Sequence, residues 1–188
     1  MIFAHEFFDA LPVHKLKKTE KGWREILIDI KDSNEIPENG EELRYIISRE
    51  STPASKLLLD PEEQKEEVEV CPDAGLLVKE LSVLIKENGG AALIIDYGHN
   101  GTEGDTLRAF KKHRQVSPLI TPGECDVTCD VDFSYLKKQL GKEILVYGPV
   151  QQNFFLKNMG IELRLNKLLQ NCSKKSIFVF NIKLQNAS

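Results

Sequence analysis

Apolar and polar positions change period along this chain, and each change of period marks an element. Ile2–Ala4 is a short apolar run that empties into His5, Glu6, Phe7, Phe8 and Asp9 before Pro12, which cannot continue a strand. That pattern predicts a strand whose carboxyl end carries acids. Val13–Thr19 and Trp23–Ile30 then alternate apolar with polar around Glu20–Gly22, which predicts a β-hairpin with one face to water. After a polar, Pro- and Gly-containing stretch over 31–42, Leu43–Arg49 reads as a further strand. Together these predict an antiparallel β insertion at about residues 13–50. From Ser51 to Val70 the chain turns to Ser, Pro, Glu and Lys, and the run Glu62–Glu67 reads as a solvated connection.

The period becomes helical next. Pro72 suits a first helical turn, Asp73 suits the positive end of the dipole, and Leu77, Leu81, Leu84 and Ile85 recur on one face until Asn88-Gly89-Gly90 stops the helix. An uninterrupted apolar run, Ala91–Ile95, follows and ends in Asp96, Tyr97 and Gly98. Helix, glycine turn, buried strand and terminal acid is the crossover pattern of a parallel sheet, so the fold class is α/β. Ligands of such sheets bind beyond the carboxyl ends of the strands. Glu6, Asp9 and Asp96 therefore fall where chemistry is expected, with Tyr97 lining the same crevice. The alternative for Asp96 is that it bonds amides of its own loop.

Gly98, Gly101 and Gly104 are spaced G-x-x-G-x-x-G, which is not the dinucleotide fingerprint, and they read as a mobile loop. Arg108–Arg114 is a basic cluster that reads as a solvated face rather than a phosphate grip, and His99 and His113 carry no mechanism. Further on, Asp130 or Asp132 is an N-cap for a helix over Phe133–Leu140, Ile144–Tyr147 reads as a strand, and Gln151–Met159 as a helix with Phe154, Phe155 and Leu156 in the core. Leu163–Leu169 begins another amphipathic helix, and Ser173–Lys183 breaks into a short strand-like tail.

Composition narrows the class. At 188 residues, 41% hydrophobic and net charge −4, the chain fits one soluble domain with a sizeable core and not a general nucleic-acid binder. Its apolar runs fall short of the roughly 18 residues of a membrane span, and its N-terminus lacks the pattern of a signal peptide. Cys71, Cys125, Cys129 and Cys172 are too scattered for a disulfide scaffold and are expected reduced. The C-x3-C pair of Cys125 and Cys129 has no second pair or histidine at zinc spacing, so no metal is expected. The chain opens inside a strand with no earlier β–α unit and no Gly-rich strand-to-helix loop, which reads as part of something longer. A parallel sheet of so few strands leaves an edge open, favouring self-association.

Four ordered motifs, His5–Val13, Gly89–Gly98, Asp126–Phe133 and Phe155–Ile161, resemble the MidA family, the mitochondrial complex I assembly arginine methyltransferases. The resemblance runs from about Ile2 to Leu169, with residues 170–188 as a divergent tail. It implies part of a class I S-adenosylmethionine-dependent methyltransferase fold, a Rossmann-like sheet carrying the β insertion. It also implies a mitochondrial matrix location, S-adenosylmethionine as cofactor, and symmetric dimethylation of an arginine on a complex I subunit.

On that resemblance Glu6 and Asp9 are the expected catalytic residues, and His5 and Asp96 the expected cofactor-binding ones. Family members usually carry Asn at the position of His5, which as a neutral imidazole offers one donor and one acceptor. The chemistry agrees with the residues: methyl transfer to a guanidinium needs positioning and a carboxylate to hold the cation, and Glu6 can grip it bidentately. The rival expectation is a non-catalytic chain that lacks the cofactor's glycine loop and keeps partner binding alone.

Overall fold

The computed structural model describes residues 1–32, 42–60, 62–101 and 104–170. They divide into two compact units, Met1–Tyr147 and Gly148–Ser188.

The first unit opens with β1 (Ile2–His5), followed by the hairpin β2 (His14–Thr19) and β3 (Gly22–Ile30) and by β4 (Leu43–Ile47). A short helix α1 (Pro53–Leu57), capped by Thr52, leads to β5 (Glu67–Val70). These strands form an antiparallel sheet in the order β4-β3-β2-β5, which is the expected insertion. One expectation is corrected here. The run Glu62–Glu67, expected as a solvated connection, ends inside a strand: Glu67 opens β5, and Val68 of β5 packs beside the fully buried Leu16 of β2. The alternation of Glu67–Val70 was hidden inside the acidic run that precedes it. On the opposite face the register sets Ile28 beside Tyr45 and Ile26 beside Ile47, and Ile28, Ile30, Tyr45 and Ile47 are exposed.

The helix α2 (Pro72–Asn88) starts where the sequence predicts. Pro72 occupies its first turn, Cys71 Sγ accepts from Ala74 N at 3.4 Å, and Gly89, at φ 70°, ends it. Ala74 and Val78 form its buried stripe, with Leu77 and Leu81 packed beside them, whereas Leu84 is half exposed. This stripe packs on Phe8, Val131 and Leu136, with Ala4 and Ile94 against the cluster. Burying Phe8 alone contributes roughly 2 kcal/mol.

From α2 the chain passes into β6 (Ala92–Ile95), which pairs parallel with β1 from Ile2↔Ala92 to His5↔Ile95. The helical crossover between two parallel strands is thus the unit predicted from Ile2–Asp96. The expected mobile loop over Gly98–Gly104 lies partly at 102–103, outside the described residues, and begins as strand β7 (Gly98–His99). A small antiparallel sheet follows: β8 (Arg108–Lys111), β9 (Arg114–Val116) and β10 (Asp126–Thr128), in the order β10-β8-β9.

The strand β11 (Val131–Asp132) returns parallel to β7 and runs into α3 (Phe133–Gln139). The close approach depends on Gly98, where a Cβ would lie 2.3 Å from the Val131 carbonyl oxygen. Of the two cap candidates Asp132 is the one used: its Oδ1 accepts from Ser134 N at 2.9 Å and Tyr135 N at 3.0 Å. The strand expected over Ile144–Tyr147 does not form, and Leu145 and Tyr147 are exposed. Apolar composition gave that signal, but among the described residues no strand pairs with it.

The second unit holds α4 (Gln152–Asn158) and α5 (Ile161–Gln170), separated by Gly160 at φ 84°. The expectation that Phe154, Phe155 and Leu156 are core is corrected: Phe154 is exposed and the other two are only partly covered. The two helices among the described residues of this unit offer too little surface to bury them. The expected tail strand at Ser173–Lys183 lies outside the described residues.

Candidate active site

The parallel register of β1 and β6 brings their carboxyl ends side by side, so the residues after His5 and after Ile95 share one crevice. Glu6 N donates to the Ile95 carbonyl at 2.9 Å, a last rung of the ladder. Glu6 itself then takes the left-handed backbone at φ 48°. A side chain in that region costs on the order of 1 kcal/mol, so the surroundings must hold it there.

Asp96 does the holding. Its Oδ2 accepts from the amides of Phe7 at 3.2 Å, Phe8 at 3.0 Å and Asp9 at 3.3 Å, and its Oδ1 accepts from Tyr97 N at 2.9 Å. One carboxylate at the end of β6 therefore clamps the whole turn after β1 as well as its own loop. Burial and the nearby Asp9 charge push the Asp96 carboxyl above the ordinary carboxylate range, against the pull of those amides.

The clamp presents Glu6 outward. Its carboxylate is about half exposed, with the Tyr97 hydroxyl donating to Oε1 at 3.4 Å and His5 Nε2 at 3.7 Å from the same oxygen. His5 lies at the end of β1, its imidazole largely exposed. Asp9 has the opposite environment. It is 5% exposed, its backbone carbonyl accepts from Cys129 N at 2.9 Å, and its Oδ1 is buried without a hydrogen-bond partner. Burial and the Glu6 charge push the Asp9 carboxyl above its ordinary range. A buried carboxylate with an open oxygen is costly unless a ligand or water completes it.

The structure thus gathers His5, Glu6, Asp9 and Asp96 at one strand end. It also adds a group that sequence reasoning missed. Arg108, read as part of a solvated basic face, is instead partly buried. It donates to Asp130 Oδ1 at 2.5 Å and to the Thr106 carbonyl at 3.2 Å, and its guanidinium lies 5.7 Å from the centre of the Tyr97 ring. Asp130 is 22 residues away, so no spacing rule exposes this pair. Lys111 of the same cluster pairs with Glu124. Among the described residues no three His, Cys, Asp or Glu side chains are grouped to hold a metal ion. Cys71, Cys125 and Cys129 are free thiols, and burial pushes Cys129 up to about 12.

Parallel strands joined by a helical crossover, ending on an acidic crevice, define an α/β domain of the Rossmann-like class. The chain belongs to the family described as "Putative S-adenosyl-L-methionine-dependent methyltransferase", matched over residues 1–150. It is 50% identical over 171 residues to the mitochondrial protein arginine methyltransferase NDUFAF7 of Danio rerio, covering 91% of this chain and 39% of the relative. It is 47% identical over 174 residues to the Homo sapiens protein of the same name, and 42% identical over 172 residues to the Drosophila melanogaster homolog. The chain therefore spans about two fifths of the length of these curated relatives.

Among solved structures, a Burkholderia thailandensis protein bound to S-adenosyl-homocysteine matches with TM-score 0.55 and 24% identity, covering 73% of this chain and 36% of that one. A second structure from the same organism matches with TM-score 0.57 and 23% identity. These likenesses show the fold: part of a Rossmann-like methyltransferase sheet with an antiparallel insertion.

Proposed function

We propose that this chain carries the acceptor side of an S-adenosylmethionine-dependent protein arginine methyltransferase, and that Glu6 grips the arginine. The observation that carries the reading is Glu6 itself: a left-handed residue, clamped by Asp96, presenting an exposed carboxylate at the carboxyl end of a parallel strand. Family membership and the printed names of the relatives support methyl transfer over the partner-binding alternative.

The donor set fits the proposed ligands. Glu6, Asp9 and Asp96 make the crevice acidic, and both a sulfonium and a guanidinium are cations. When bound, S-adenosylmethionine supplies an electrophilic methyl group. His5 and the turn clamped by Asp96 would hold the cofactor, its sulfur would keep the electron pair when the methyl leaves, and the guanidinium nitrogen that accepts the methyl would give up a proton. The chain's own part is positional. Glu6 holds two guanidinium N–H groups and draws positive charge toward itself, leaving the remaining nitrogen richer in electrons for in-line attack. Asp9, buried behind Glu6 with Oδ1 unpartnered, is the second carboxylate whose charge favours a cation at this site. His5 stands on the cofactor side. Asp96 acts there through the turn it clamps, since four amides already occupy its oxygens.

The finer reading goes beyond the relatives' printed names, which give a mitochondrial protein arginine methyltransferase, to a matrix location and an arginine on a complex I subunit as acceptor. Among the described residues β1 pairs with β6 alone, which favours self-association and is checked by sedimentation. The test of the function is transfer of labelled methyl from S-adenosylmethionine to arginine in a complex I subunit fraction. Label on symmetric dimethylarginine is expected, and its absence removes the reading.

A further inference from the structure

The geometry points to Arg108 as a positioning residue of the acceptor site: anchored by Asp130 and the Thr106 carbonyl, its guanidinium carries the Tyr97 ring, and Tyr97 fixes the Glu6 carboxylate. This rests on the reading of Glu6 as the arginine grip and adds the device that aims it.

Three observations meet here. Glu6 sits half exposed, so packing does little to choose where its carboxylate points. The Tyr97 hydroxyl reaches Glu6 Oε1 at 3.4 Å, while the Tyr97 ring, itself half exposed, has Arg108 over it at 5.7 Å. Arg108 in turn is held at two points, Asp130 Oδ1 at 2.5 Å and the Thr106 carbonyl at 3.2 Å. A planar guanidinium can donate to two acceptors in a fixed fork and still present its charge to a ring, which a single ammonium does with far less definition.

The anchor is itself tied down. Thr106 Oγ1 accepts from Asp130 N at 2.8 Å, and Thr106 donates from N and Oγ1 to Glu69 Oε2 at 2.9 and 2.6 Å. Glu69 belongs to β5, so the path runs from the insertion sheet through Thr106, Asp130, Arg108 and Tyr97 to Glu6. Asp130 balances the Arg108 charge, so the cation can stand near an acceptor cation. Holding Oε1 sets the plane of the Glu6 carboxylate, and that plane sets the direction from which an incoming arginine is gripped.

The test uses the complete enzyme, S-adenosylmethionine and a peptide with a single arginine, with KM measured for each substrate. Arg108→Met is expected to raise the peptide KM about tenfold and leave the S-adenosylmethionine KM unchanged. Arg108→Lys keeps a charge for Asp130 but loses the planar fork that holds Asp130 and the Thr106 carbonyl together, and is expected to leave the peptide KM raised. Because Arg108→Met strands Asp130, the double variant Arg108→Met/Asp130→Asn serves as the fold control: wild-type thermal stability with a raised peptide KM is expected. Tyr97→Phe should cost about as much as Arg108→Met, and the two together no more than either, because both break one path.

A wild-type peptide KM in Arg108→Met or in the double variant overturns the positioning role, as do full rescue by lysine and additive losses with Tyr97→Phe. A rise in both KM values assigns Arg108 to general structure and overturns it too. Wild-type enzyme that methylates no arginine overturns the acceptor reading itself, a different result from an unaffected variant.

Discussion

Two buried acids in this molecule look alike in the sequence and differ in everything else. Glu25, in the antiparallel insertion, is 7% exposed; its Oε1 lies 2.6 Å from His14 Nδ1, and Ser48 Oγ accepts from its amide at 3.0 Å. Burial pushes the Glu25 carboxyl up, but hydrogen bonds from His14 and Thr52 outweigh it and hold the carboxyl below its ordinary range. Asp9, at the end of the parallel pair, is as deeply buried, yet Oδ1 has no partner and its carboxyl is held above the ordinary range. Burial by itself does not set the direction of the shift; the hydrogen bonds that reach the carboxyl do. Glu25 is bonded strongly enough by its own chain to outweigh burial, whereas the backbone hydrogen bonds at Asp9 do not outweigh burial and the Glu6 charge.

That contrast is sharpened most by Glu6→Gln, which keeps size and hydrogen bonding but loses the charge. We expect methyl transfer to fall at least about 100-fold with thermal unfolding unchanged, measured by label incorporation beside a melt. Asp96→Ala strikes both stability and activity. Four amides lose their acceptor, and a loss of about 2–4 kcal/mol is expected in denaturant titration, with transfer falling because Glu6 is no longer held.

Asp9→Asn and Glu25→Gln should then move stability in opposite directions. Removing an unsatisfied buried charge stabilises the fold by about 1 kcal/mol while slowing transfer; weakening a satisfied one destabilises by a similar amount. Equal signs in urea titrations would erase the distinction drawn above. Gly98→Ala, which meets the Val131 carbonyl, is expected to cost about 1–3 kcal/mol without touching the acids.

Acid titration gives the smallest but cleanest separation. The folded Asp9 and Asp96 carboxyls lie above their ordinary 3.8, so their contribution is full below that pH and fades as pH rises through the folded values. Glu25 lies below its ordinary 4.5, so its contribution is full above that pH and is lost as pH falls through the folded value. Unfolding free energy followed from about pH 3 to 6 should therefore steepen its rise in Asp9→Asn and flatten it in Glu25→Gln.

Local signals made much of this fold readable. The crossover from β1 through α2 to β6 is written in a proline, two glycines and an apolar run, because helix ends and buried strands depend on nearby residues. The hairpin at Gly22 and the cap at Asp132 are local for the same reason. Local patterns misled where the outcome depended on a distant partner. Glu67–Val70 became a strand because β2 was there to pair with it, and Ile144–Tyr147, with no strand beside it among the described residues, did not. Phe154 looks like core in the sequence and is exposed in the second unit.

The candidate site divides the same way. The sequence alone determined that acids stand at the ends of two apolar strands, since the strand period and Pro12 locate those ends. Tertiary structure decided what each acid does. Asp96 bonds amides 87 to 89 positions away, Glu6 is turned outward by that clamp, Asp9 is closed in with an unpartnered oxygen, and Arg108 of β8 meets Asp130 just past the neighbouring β10. Hydrogen bonds and charge pairs act through space over a few ångströms, and only the folded chain brings those residues within that distance.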